Sequence, residues 1–146
     1  AMLYSLLHLG GFAGDVDFYR GQTAGAARIL ELGAGDGRVG AELCKDAAYV
    51  GIEHCAEFVT TARDRVDGTV LEADMFSPLP DGMSPFDAVI LSANTLFCTP
   101  RHAELLARCS DALIPRGALV FDVYNAAPWH EEAVYLAGEG GEEGEG

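Results

Sequence analysis

The sequence predicts an α/β domain built on an open, largely parallel sheet. Short aliphatic segments of strand length recur along the chain, separated by amphipathic segments of helical period. A glycine-rich stretch, Gly33-Ala34-Gly35-Asp36-Gly37, stands between the first such strand and the helix after it. Acidic residues, Glu53 and Asp74, recur where later strands end. Strand–helix alternation demands crossover connections, so the strands run parallel and helices cover both faces.

Each element has its own justification. Residues 2–9 place Leu3, Leu6 and Leu7 on one helical face, and Gly10, Gly11 and Gly14 end that pattern. Asp15 is positioned to cap a second helix through Val16, Phe18 and Tyr19. The first strand is residues 28–32. Gly33, Gly35 and Gly37 follow it, where bare backbone lets N–H groups and a helix N-terminus approach a ligand closely. The next helix spans about residues 37–45, with Val39 and Leu43 toward the sheet. A second strand, residues 48–52, ends in Glu53, and a helix follows with Phe58, Val59, Ala62 and Val66 inward. The third strand is residues 69–73, followed by Asp74 and Met75. Pro78, Pro80, Gly82 and Pro85 mark a loop before a fourth strand, residues 86–92, which ends at Ser92. Residues 101–113 form an amphipathic helix carrying Leu105, Leu106, Cys109, Ala112 and Leu113 on one face. The turn Ile114-Pro115-Arg116-Gly117 stops it, and a fifth strand covers residues 118–124.

Bulk properties narrow the function. A chain of 146 residues with 49% apolar content reads as one globular domain. No apolar run reaches the length of a membrane span. The formal net charge of −14 repels phosphate backbones and argues against a nucleic-acid partner. Cys44, Cys55, Cys98 and Cys109 form no C-x-x-C pair and no metal spacing, so they read as reduced thiols of a cytoplasmic protein that holds no metal.

The glycine run alone does not choose a ligand. The dinucleotide spacing G-x-G-x-x-G fails counted from Gly33 but fits through Gly35, Gly37 and Gly40. In that frame Glu53, at the end of the second strand, accepts hydrogen bonds from ribose hydroxyls equally well in either fold.

Glu31-x-Gly33-x-Gly35-x-Gly37 resembles motif I of the class I S-adenosylmethionine-dependent methyltransferases. The resemblance spans Tyr4 to about Asn125 and implies a Rossmann-like sheet that binds S-adenosylmethionine. It implies a cofactor site made of Glu31, Gly33, Ala34, Gly35 and Gly37 in the first loop, and Glu53 and His54 at the second strand end. Asp74 and Met75 resemble the family's adenine clamp, the bland alternative being a strand-end aspartate that caps a turn. Ser92 and Asn94 would complete the site at the fourth strand end, with Phe97 beside the reacting methyl. Asp87 resembles the motif IV aspartate near the start of that strand. Tyr4 or Arg20 would meet the methionine carboxylate. His8, His102, His130 and Tyr4 are candidate bases, and none stands out. The implied reaction is methyl transfer to N, O or S of a small-molecule acceptor. Two other readings stay open: an NAD-binding oxidoreductase domain and a non-catalytic cofactor-binding module. A narrower variant, methylation of a protein lysine, draws faintly on Gly35-Asp36-Gly37-Arg38.

The pattern departs from the family at its end, because the usual final antiparallel hairpin is lacking. The expected organisation is an N-terminal helical segment over the cofactor site (1–26), a Rossmann-like core (27–130), and a short segment with a disordered glycine–glutamate tail (131–146). The fifth strand then presents an open apolar edge. A longer native chain, a homodimer across that edge or a partner chain supplying the cover would each resolve it.

Overall fold

The computed structural model describes residues 14–123. The expected helix at residues 2–9, with Tyr4 and His8, lies outside them, as do His130 and the glycine–glutamate tail. Helix α1 (Asp15–Gln22) precedes strand β1 (Arg28–Leu32), a short helix α2 (Gly40–Leu43), β2 (Ala48–Glu53) and α3 (Ala56–Arg65). The chain continues through β3 (Thr69–Glu72), β4 (Phe86–Leu91), a 3₁₀ turn (Thr95–Cys98), α4 (His102–Ala112) and β5 (Leu113–Phe121). The five strands form one sheet in the order β3-β2-β1-β4-β5, and every pairing is parallel.

Side-chain alternation sorts the core into two layers. Ile29, Tyr49, Val70, Ala88 and Ile90 face α1 to α3, where Tyr19, Leu43, Val59 and Ala62 complete one cluster. Leu30, Leu32, Val50, Ile52, Val89 and Leu91 face the opposite layer, covered by Leu105, Cys109 and Ala112 of α4. Those three recur at helical spacing, which makes α4 amphipathic and docks it on the sheet.

Two expectations are corrected. The helix after the glycines is only Gly40–Leu43, not residues 37–45. Gly37 sits at φ 82°, and this left-handed turn delays the helix. The fifth strand starts at Leu113, not after a turn at residues 114–117. The register slips between Phe86↔Leu113 and Ala88↔Ala118, so the proline–glycine segment is taken up as a bulge, with Arg116 at φ 67°. Asp87 stands at the start of β4 and accepts from the N–H groups of Ala27 and Arg28, pinning the entry to β1.

Candidate functional site

Strand order reverses between β1 and β4, the switch point where open α/β sheets bind ligands outside their carboxyl ends. A cavity of about 250 Å³ lies there. Its walls come from the loop after β1, the end of β2 with the first turn of α3, and the loop after β4. An adjoining lobe of about 230 Å³ shares Gly33, Glu53, His54 and Met75 and runs along Asp74 and Phe76 at the end of β3.

Glu53 is the polar centre of this space, lining both lobes. It is 6% exposed. Its Oε2 accepts the Gly35 N–H at 2.9 Å and its Oε1 accepts the Cys55 N–H at 2.9 Å. Each oxygen keeps a second lone-pair direction, so the fixed carboxylate can accept two further donors from a ligand. His54 Nδ1 lies 3.3 Å from Oε1, with its side chain 84% exposed.

The glycine loop differs from the expectation of free N–H donors. The N–H groups of Gly33 and Ala34 both donate to the Ile52 carbonyl, at 2.9 and 3.0 Å. That of Gly35 goes to Glu53, and that of Gly37 to the Ala34 carbonyl at 3.1 Å. With α2 only four residues long, no extended helix dipole stands directly behind the glycine loop. This loop offers shape rather than an anion cradle. Gly33, Ala34 and Gly35 line the cavity, and Gly37 does not. A Cβ on Gly37 would stand 2.9 Å from Ala62 Cα, so its bare backbone serves packing against α3.

Glu31 is likewise brought near the site but not into it. It is fully buried beneath the cavity. The Tyr49 hydroxyl donates to Oε2 and the Ser92 hydroxyl to Oε1, each at 2.5 Å. Burial pushes its carboxyl up to about 7, against the two hydroxyl donors and Arg38, which draw it down. The Tyr49 ring lies where a Cβ on Gly40 or Gly51 would collide with it, at 2.4 and 2.9 Å. Gly51 pairs with Glu31 in the sheet register. A glycine inside a central strand marks such a close approach, and it is the sequence signal for this buried pair.

The remaining expectations divide. Met75 and Ser92 line the cavity. Asp74 is exposed and lines the adjoining lobe but not the main cavity. Its Oδ1 accepts the Phe76 N–H at 2.7 Å, the turn-capping geometry. Asn94 is not in the cavity wall; it adopts φ 64° and donates its N–H to Asp122. Phe97 is half exposed and meets His102 edge-on, away from the cavity lining. Arg20 pairs with Asp46 at 3.0 Å on the surface, so it does not serve the cavity. The cation that does is Arg38, which lines the cavity and is gripped by both oxygens of Asp15, at 2.9 and 2.5 Å. Phe58 also lines the cavity, from the first turn of α3, although its spacing reads as core.

Comparison with known proteins follows this geometry. A family model described as "Methyltransferase domain" matches residues 29–117, and the chain belongs to that family. A search of curated proteins found no match. Among solved structures, the sugar N-methyltransferase KedS8 from Streptoalloteichus is 27% identical, with a TM-score of 0.67 over 83% of this chain and 53% of its own. DesVI from Streptomyces venezuelae is 23% identical, with a TM-score of 0.68 over 83% of this chain and 56% of its own. The S-adenosylmethionine-bound amino pentose methyltransferase CalS10 from Micromonospora echinaspora is 24% identical, with a TM-score of 0.69 over 84% of this chain and 56% of its own. The chain thus spans about half the length of these structures. No helix among the described residues is long and apolar enough to cross a membrane.

Proposed function

We propose that this domain binds S-adenosylmethionine and directs its methyl group to a nitrogen of a small-molecule amine. Glu53 carries the reading. It is a buried carboxylate at the end of β2, pinned by two backbone N–H groups and facing both lobes. Such an acceptor suits a ribose diol. The glycine loop separates this reading from a dinucleotide one. Its N–H groups at Gly33, Ala34, Gly35 and Gly37 are already taken, whereas a pyrophosphate needs them. The match to a sugar N-methyltransferase favours nitrogen among the possible acceptor atoms.

When bound, S-adenosylmethionine supplies an electrophilic sulfonium methyl, and the acceptor nitrogen displaces it in line. The chain's own residues bind and orient. Glu53 would hold the ribose, with Met75 and Phe58 packing on the adenine. Arg38 would meet the amino-acid carboxylate, and the wall of Ser92, Ala93 and Thr95 would face the acceptor.

The test is calorimetric titration with S-adenosylhomocysteine and, separately, with NAD. Wild type is expected to bind S-adenosylhomocysteine and not NAD. Glu53→Gln turns one carboxylate oxygen into an amide donor facing a backbone N–H. It should weaken binding by about tenfold or more, since a charge-assisted hydrogen bond contributes about 1.5–3 kcal/mol. Binding of NAD alone overturns the proposal. Binding of S-adenosylhomocysteine with no methyl transfer to a panel of amines would leave a cofactor-binding module instead of an enzyme.

A further inference from the structure

The loop after β4 forms the wall of the cavity across from Glu53, and its backbone is unusual. Ala93 and Asn94 are consecutive non-glycine residues with left-handed backbones, at φ 51° and 64°. Such residues are uncommon and need outside support. Within the turn, the Thr95 N–H and hydroxyl both donate to the Ser92 carbonyl; from outside it, one side chain takes the N–H groups of both left-handed residues. Asp122 lies just beyond β5, where its Oδ2 accepts the Ala93 N–H at 2.9 Å and its Oδ1 accepts the Asn94 N–H at 2.5 Å. The same Oδ2 accepts the Tyr19 hydroxyl at 2.6 Å, from fully buried Tyr19 of α1. Two chain segments, α1 and the loop after β4, therefore converge on one carboxylate at the end of β5. From this turn the chain enters the 3₁₀ segment, and the Thr95 side chain seats where a Cβ on Gly33 would stand. Ser92, Ala93, Thr95 and Cys98 all line the cavity.

We propose that Asp122 is a positioning residue: it fixes the left-handed turn at Ala93 and Asn94, and through it the cavity wall opposite Glu53. It touches neither ligand nor reacting atoms in this role. The inference rests on the reading of the cavity as the cofactor site, and it adds the residue that sets the shape of that site. Tyr19 is the subordinate partner. Its hydroxyl uses the carboxylate but supports neither left-handed residue, so it ties α1 to the turn without making the turn.

That asymmetry supplies the test. Asp122→Asn keeps the size but leaves a single acceptor oxygen, so its NH₂ must face one of the two backbone donors. Tyr19→Phe removes one hydroxyl and spares both backbone bonds. Amide hydrogen exchange on the full chain without ligand should show faster exchange at residues 92–98 in Asp122→Asn, with β1 and β2 protected as in wild type. Tyr19→Phe should leave residues 92–98 at the wild-type rate. In calorimetry, Asp122→Asn should weaken S-adenosylhomocysteine by about tenfold, and Tyr19→Phe by less than about threefold. The proposal is overturned if the Asp122→Asn loop exchanges as in wild type. It is equally overturned if protection falls alike in β1 and β2, or if the two variants behave the same. Should wild type fail to bind S-adenosylhomocysteine, the cofactor reading fails, and the exchange arm still decides the role of Asp122.

Discussion

Glu31→Gln should abolish a pH dependence of stability that the buried carboxylate imposes. Glu31 is fully buried, and its carboxyl is raised from 4.5 to about 7, burial being the main cause. In the unfolded chain it ionises near the ordinary value. Between those two values the native state keeps a proton that the unfolded chain has released, so raising the pH favours unfolding. The contribution is fully present below about pH 4.5 and lost as pH rises through about 7. A difference of this size corresponds to about 3 kcal/mol, a large share of the roughly 5–15 kcal/mol that holds a domain folded. Glutamine cannot ionise, and its amide is satisfied because the Tyr49 and Ser92 hydroxyls can accept as well as donate. The assay is urea denaturation followed by far-ultraviolet circular dichroism at pH 5, 6, 7 and 8 for both proteins. Other groups titrate in both, so the difference curve isolates Glu31. Glu31→Gln should match wild type near pH 5 and gain on it progressively toward pH 8. A difference that is flat across the range, or one that shrinks as pH rises, refutes the reasoning.

Two further contrasts test the roles of neighbouring residues. Gly35→Ala and Gly37→Ala should separate ligand space from packing. The first Cβ meets nothing within 4 Å, so urea denaturation should show only the left-handed strain of about 1–2 kcal/mol, while S-adenosylhomocysteine binding falls in calorimetry. The second meets Ala62 Cα at 2.9 Å and Val66 Cγ2 at 3.0 Å, so it should destabilise by about 2–4 kcal/mol. Arg38→Ala should weaken S-adenosylhomocysteine by about tenfold in the same titration, whereas Arg20→Ala should leave it unchanged. Equal effects of the two arginine variants would remove Arg38 from the cavity's ligand-binding set.

What the sequence disclosed follows from how far each feature depends on distant residues. The strands were legible because runs such as Tyr49-Val50-Gly51-Ile52 are buried on both faces and need no partner to be read. Glu53 was legible as a strand-end carboxylate, because position along the sheet edge alone places it. The burial of Glu31 was not legible, because its partners, Tyr49 and Ser92, reach it only through the register of three strands. Arg20 and Arg38 carry the same chemistry, and only position decides between them: Arg38 pairs with Asp15 at the start of α1 and lines the cavity, whereas Arg20 stands in the last turn of α1 against Asp46. The helix expected from residue 37 was overdrawn, since hydrophobic spacing does not report a left-handed turn at Gly37. Asp122 interrupts an apolar run visibly, but its three donors come from segments 28 to 103 positions away.

Three carboxylates near strand ends share one principle. Glu31 is the penultimate residue of β1, Glu53 closes β2, and Asp122 follows β5. Each is an acceptor for donors from a neighbouring segment: hydroxyls at Glu31, backbone N–H groups at Glu53, and both kinds at Asp122. At the glycine loop the Gly35 N–H is thereby turned to Glu53, the carboxylate that lines both lobes of the cavity. Arg38 lines the same cavity, held in place by Asp15 with Asp36 beside it. A phosphate entering such a space would meet negative charge with few N–H groups to hold it. A cation would meet the opposite, and at an effective dielectric of about 20 opposite unit charges several ångströms apart attract by about 2 kcal/mol. Glu53 thus serves the loops and the proposed ligand at once: it fixes the backbone around the cavity and is the carboxylate that a small positively charged ligand would meet there.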